Sequence, residues 1–368
     1  MTSKAGTTRM LGCVLGAWTL FFLWTAPSRA ARISDYTFPV LMADLNAAVQ
    51  IPDPGPELKN TEAVTVEKRD PPVSLVYKLW VTGTQGGIGK IYEFFVDLSP
   101  DAVEKIVNLP ENNIVHPFGE DAEGLAFAGD NRLLVSNAPD EPTDRSGVYE
   151  IALSPLGGGT FNKFLPSDPA TRPEGLGVDP ADLGQRELDL WIADEGKDKA
   201  FRFAFSAFEG LEREDSFRTF ERPEGIAVFY DDLLLVDDGG DGETGALVQF
   251  DDDGHVVDYL LTGQFGLFDP QGVDFDPFSD FLYVINDNDE KIGNRRDFQS
   301  TLLVLTTPKT YLALQSGIAS AAISNPEPGA PLVFAAQLLV VAAALRRRSG
   351  SPSGGWGTRP RANARDRW

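Results

Sequence analysis

The chain has 368 residues and a formal charge of −23 at pH 7, with one cysteine and two histidines. An acidic excess of this size repels nucleic acid and anionic surfaces, and it favours cations such as Ca²⁺. One cysteine excludes a disulfide framework within the chain, and two histidines exclude a multi-histidine metal centre.

At the N-terminus, a polar stretch carrying Lys4 and Arg9 leads into an apolar run from Leu11 to Ala26. Pro27-Ser28-Arg29-Ala30 follows, with small residues at Ser28 and Ala30. This order predicts a secretory signal peptide over residues 1–30. The alternative is an uncleaved anchor, which needs about 20 apolar residues. Cleavage after Ala30 removes Cys13, so the mature protein has no thiol chemistry. It also removes Lys4, Arg9 and Arg29, leaving the body still more acidic.

The body, residues 31–315, repeats. Four segments begin Glu123-Gly124-Leu125, Glu174-Gly175-Leu176, Glu224-Gly225-Ile226 and Gln271-Gly272-Val273, with starts 51, 50 and 47 residues apart. Arg172-Pro173, Arg222-Pro223 and Asp269-Pro270 precede three of them. Each segment passes a turn, such as Asp231-Asp232, into a second apolar strand, such as Leu233-Leu234-Leu235-Val236. A third strand alternates (Ala246-Leu247-Val248-Gln249-Phe250), and a more polar fourth closes the unit (Ser216-Phe217-Arg218-Thr219-Phe220). Four short strands per unit of about 50 residues predict an all-β fold, a β-propeller.

A fainter unit precedes these, through Glu62-Ala63-Val64-Thr65-Val66, Leu75–Val81 and Lys90–Phe95. The last unit stops after Thr301–Leu305, and its outer strand is expected from Tyr36–Leu41, which closes the ring. The count is five blades, with an irregular sixth in residues 31–75 as the alternative.

After a linker at 316–324, Asn325-Pro326-Glu327-Pro328-Gly329 leads into an apolar run from Leu332 to Leu345 and then Arg346-Arg347-Arg348. This order resembles the PEP-CTERM sorting tail cut by exosortases, over residues 325–348. The resemblance implies export across the inner membrane, transient anchoring by an apolar helix, and a partnership with exosortase-type machinery. A plain membrane anchor is the alternative. Residues 349–368 continue past the point where such tails usually stop and read as a disordered basic extension.

The Pro-Glu-Gly starts and acidic strand ends resemble NHL-type propellers, the gluconolactonase-like family and the phytase-like esterase family, over about residues 118–307. Gluconolactonase-like propellers hold a divalent cation in the central channel. Carried over, the resemblance implies Glu123, Glu174, Glu224 and Gln271 at the strand starts, and Asn137, Asp194, Asp237 and Asn286 at the ends of the following strands. Converging carboxylate and amide oxygens suit Ca²⁺, which takes six to eight oxygen ligands. The structural alternative is that each glutamate latches the ring by hydrogen bonding.

The expected function is a secreted or cell-surface binding module, associated with the extracellular matrix and stabilised by a divalent cation. Its expected partner is an extracellular polysaccharide or another surface protein. The alternative is a metal-dependent hydrolase of the lactonase or phytase-like esterase kind. No Gly-x-Ser-x-Gly elbow, phosphate loop or dinucleotide motif is present.

Overall fold

The computed structural model describes residues 31–315, except 50–57, 69–74, 101, 117–121, 139–146, 167–169, 171, 186, 207–209, 240–243 and 288–299. The expected signal peptide, linker, sorting tail and basic extension lie outside the described residues.

Five antiparallel sheets form five blades. The first blade has β3 (Val64–Val66) innermost, then β4 (Val76–Gln85), β5 (Ile88–Asp97) and an outer edge of β6 (Ile106–Asn108) and β7 (Ile114–Val115). A short β2 (Leu58–Lys59) pairs with the far end of β4. The second runs outward through β8 (Leu125–Phe127), β9 (Arg132–Asn137), β10 (Gly147–Leu153) and β11 (Gly159–Pro166). The third is β12 (Pro173–Val178), β13 (Glu187–Asp194), β14 (Lys199–Ser206) and β15 (Gly210–Arg218). The fourth is β16 (Pro223–Phe229), β17 (Asp232–Asp237), β18 (Ala246–Phe250) and β19 (Val256–Leu261). In the fifth, β20 (Pro270–Asp276), β21 (Phe281–Asn286) and β22 (Thr301–Thr306) are completed by β1 (Phe38–Asp44) from the other end of the chain.

That last pairing is the expected ring closure, from Phe38 opposite Thr306 to Asp44 opposite Thr301. The faint first unit is a full blade. No sixth blade forms among the described residues: residues 31–44 serve blades 4 and 5, and residues 58–66 serve blade 1.

Continuous apolar runs arise because each inner strand is buried on both faces. On β16, Ile226 and Val228 pack toward blade 3, while Ala227 and Phe229 pack toward blade 5. On β17, Leu233 and Leu235 turn to blade 3, and Leu234 and Val236 to blade 5. Burying such a side chain stabilises by roughly 1.5–3 kcal/mol. Trp80 and Ile91 of blade 1 meet Leu125 and Leu133 of blade 2 in the same way. Tyr283 and Ile285 of blade 5 meet Val64 and Val81 of blade 1. Outer strands protect their edges differently. On β15, Glu212, Arg213, Glu214 and Asp215 are exposed, and an edge so charged resists further pairing.

Candidate functional site

The inner strands begin at one end of the propeller axis, where they crowd. A Cβ added at Gly175 would lie 2.6 Å from the Ile226 nitrogen; one at Gly225 would lie 2.7 Å from the Gln271 carbonyl oxygen. At Gly272 it would lie 2.7 Å from the Glu62 carbonyl oxygen. These contacts run round the axis from strand to strand, and Ala63 holds the fifth place. Glycine is required where backbones approach this closely. The constriction leaves a cavity of about 10 Å³, room for about one water molecule.

The glutamates stand at this constriction. Glu123 and Glu62 line it directly. Glu174 is buried, with a side chain 5% exposed, and Glu224 nearly so at 14%. Two arginines lie among them. Arg172 approaches Glu174 Oε1 at 3.4 Å and Glu195 Oε2 at 2.5 Å. Arg222 donates to Glu195 Oε1 at 2.7 Å and lies 3.8 Å from Glu224 and 3.9 Å from Asp238. Glu195 thus offers one oxygen to each arginine and ties blade 3 to the start of blade 4.

The arginines do not neutralise the mouth. Burial, then the neighbouring Glu224, raise the Glu174 carboxyl well above its ordinary range; Glu195 and Glu62 add to the rise, and Arg172 opposes it. Burial, then Asp238 and Glu195, push Glu224 up to about 8 against the pull of Arg222. Buried carboxylates in one another's field favour the protonated form unless another cation joins them. Glu174 Oε1 is buried and, among the described residues, meets only the Arg172 guanidinium at 3.4 Å, without hydrogen-bond geometry.

The other expected positions do different things. Gln271 donates to Asp269 Oδ1 at 2.7 Å. The backbone N–H of Arg172 donates to Asp194 Oδ2 at 3.5 Å, and that of Asp269 donates to Asn286 Oδ1 at 3.0 Å. Asp237 Oδ1 accepts from the Gly239 N–H at 3.0 Å. Two of the four strand ends, Asp194 and Asn286, therefore hold the loops that feed the inner strands, and Asp237 holds the turn that follows its own strand. Asn137 is buried at the end of β9. Next to it, Ser136 takes the Gly124 N–H at 2.5 Å and donates to the Glu174 carbonyl at 3.1 Å, joining blades 2 and 3.

Glu62, Glu195, Asp238 and Asp269 belong to the mouth but were not among the expected ligands. Glu62-Ala63-Val64 repeats the Glu-Gly-Leu start with alanine for glycine, and that alignment could have found it. Glu195 and Asp238 follow Asp194 and Asp237 directly, one residue beyond the positions singled out.

A second carboxylate group, Asp179, Asp182 and Asp189, lies at the turn between β12 and β13. Arg202 pairs with Asp189, and Asp182 accepts the Asp189 N–H at 3.0 Å. Asp179 Oδ1 accepts from Ala181 at 2.8 Å. These bonds account for the group as turn chemistry.

No family model and no curated protein matches the chain. Solved structures do. The chain is similar to a PQQ-bound aldose sugar dehydrogenase from Streptomyces coelicolor, at 15% identity over 62% of this chain and 75% of that one, with a TM-score of 0.37. It is similar to a glucose-dehydrogenase-type oxidoreductase from Thermus thermophilus, at 12% identity over 72% and 99%, with a TM-score of 0.40. An exo-β-1,3-galactanase from Phanerochaete chrysosporium gives 9% identity over 66% and 59%, with a TM-score of 0.45. The propeller assignment for this chain rests on its own strand pairing and ring closure.

Proposed function

We propose that this protein is an exported propeller that acts as a binding module at the cell surface or in the extracellular matrix, with a divalent cation, Ca²⁺, held at the mouth of its ring. The observation that supports the cation is the buried Glu174 carboxylate, whose Oε1 has only a 3.4 Å contact with Arg172, in a mouth where carboxylates outnumber arginines. Glu174 and Glu224 are the central ligands, with Glu62 beside them. Hard oxygen donors of this kind suit Ca²⁺.

Export by residues 1–30 and exosortase-dependent sorting by residues 325–348 complete this reading. An extracellular polysaccharide or another surface protein is the partner. The cavity of about 10 Å³ at the constriction is too small for a substrate, so any ligand of the channel would sit outside it, at the mouth.

A calcium titration followed by melting tests the cation. A site that binds only the folded state stabilises it by about 2.7 kcal/mol at a hundredfold excess over Kd. Glu174→Gln and Glu224→Gln should each weaken that response. Equal responses in all three proteins would remove the site. Intact-mass measurement of the native protein tests the processing at both ends.

A further inference from the structure

Away from the mouth, an open groove of about 580 Å³ runs along the rim between blades 4 and 5. Its walls are β19 and residues 34–37, which lead into β1, with Phe268 also in the lining. The second wall is firmly held. Ile33 is fully buried, the N–H and hydroxyl of Ser34 donate to Asp258 Oδ2 at 3.0 and 2.5 Å, and Arg32 donates to the Val257 carbonyl at 2.6 Å.

From β19, Tyr259 and Leu261 turn outward, 59% and 47% exposed. Such exposure adds little to the core. Thr37, Thr244 and Gln264 are exposed in the same lining, and their side chains make no hydrogen bond among the described residues. The groove therefore offers one aromatic platform, two hydroxyls and an amide on a fixed frame.

The lining chemistry selects the ligand. It includes no lysine, arginine or histidine, and the chain is at −23, so an anionic ligand meets no counter-charge. A purely apolar ligand would strip water from the hydroxyls and amide without replacing their hydrogen bonds. A neutral polyhydroxylated ring meets both demands. Its C–H face stacks on an aromatic ring, its hydroxyls bond to short polar side chains, and pockets of this volume hold ligands of that size.

We propose that the groove between blades 4 and 5 is a binding site for a neutral saccharide, with Tyr259 as the stacking platform and Thr37, Thr244 and Gln264 as hydrogen-bonding partners. The site gives a ligand class to the binding-module reading, on which it rests, and it does not use the cation at the mouth.

Titration calorimetry with neutral hexasaccharides (cello-, malto-, manno- and β-1,3-gluco-) tests it, with polygalacturonate as the acidic comparison. At least one neutral saccharide should bind, with the same affinity in calcium and in chelator, while polygalacturonate does not. Tyr259→Ala should weaken binding at least tenfold, and Gln264→Ala about threefold or more. Both positions are exposed, so melting should not change. Leu156→Ala, at the exposed tip of blade 2, should bind as wild type. Absence of binding by every neutral saccharide, or wild-type affinity in Tyr259→Ala, would overturn the proposal. Loss of binding in chelator would move the ligand to the mouth and overturn it equally. The calcium response in melting is a separate readout, so failure in the groove and failure at the mouth remain distinguishable.

Discussion

Glu224 shows how a single side chain couples this fold to pH. Its carboxyl titrates at about 8 in the folded protein and at 4.5 in the unfolded chain. The folded state therefore binds the proton more tightly. The stability linked to that proton is fully present below pH 4.5 and is lost as pH rises toward about 8, by an amount on the order of a few kcal/mol. Glu174 shifts in the same direction. Glu224→Gln keeps the shape and cannot ionise, so its denaturation midpoint should fall less between pH 5 and 8 than that of wild type. Parallel pH profiles for the two proteins would show that Glu224 does not ionise in this range. Calcium bound at the mouth as proposed would oppose this slope. A cation that needs the ionised carboxylates competes with their protons, so its stabilising effect should be larger at pH 8 than at pH 6. Glu195 works by geometry, because it ties Arg172 and Arg222 together. Glu195→Gln should therefore lower stability at both pH values, as denaturant melts would report.

At the scale of elements, the inner strands carry the tightest constraints. Gly175→Ala would push a methyl group into the backbone of β16, with the Ile226 nitrogen only 2.6 Å away. Backbone gives way less readily than a side chain, so the expected cost is about 1–3 kcal/mol or more by thermal melting. Gly87→Ala is the contrast, since no atom lies within 4 Å of its added Cβ and only its positive φ opposes the change. The first and fifth blades add a polar latch near the C-terminal ends of their inner strands. Asp274 on β20 accepts from Thr65 Oγ1 and the Val66 N–H, each at 2.9 Å, and pairs with the buried Lys68 at 2.8 Å. The Thr65 hydroxyl then accepts the Phe127 N–H of blade 2 at 2.9 Å. Asp274→Ala strands a buried ammonium and should cost about 3–5 kcal/mol.

These elements also show how far the sequence could be read. Inner strands were legible because burial on both faces forces unbroken apolar runs such as Leu233–Val236, and because glycine recurs wherever strands meet at the axis. The borrowed outer strand was legible because the last unit lacked one. The mouth was only partly legible. Glu174 and Glu224 mark themselves by repeating, but Glu195 acts through arginines 23 and 27 residues away, and no local pattern encodes such a meeting. Asp274 reads locally as an ordinary turn-proximal acid, and only closure of the ring brings Lys68 to it.

For the whole molecule, stability depends on keeping a circle closed, and one carboxylate gathers the parts that close it. Asp280 ends the turn before β21 with a left-handed φ of 61°. Its Oδ1 accepts from Tyr36, which precedes β1, and from Tyr230 of blade 4 at 2.9 Å. Its Oδ2 accepts from Thr307 at 3.0 Å, just after β22, and its carbonyl accepts from Thr306 at 2.8 Å. Residues before β1 and after β22 are thereby fixed to one point beside the seam where the first and last strands pair. Tyr36 is 1% exposed and packs edge-on against Phe229 and Phe275, so its hydroxyl has no easy route to water. Removing the acceptor leaves this buried donor only the distant Tyr230 hydroxyl at 3.5 Å, at a cost of about 1–3 kcal/mol. Asp280→Ala should therefore destabilise the fold by about 3 kcal/mol in urea, once the bonds from Tyr230 and Thr307 are included. Asp280→Asn keeps an acceptor oxygen and should cost less. Hydrogen exchange locates the effect. If Asp280 secures the seam, amides of β1 and β22 should exchange faster in Asp280→Ala, while those of β12 and β13, across the ring, change only with global stability. Equal acceleration in all four strands would mean that the carboxylate adds general stability and has no special hold on the closure.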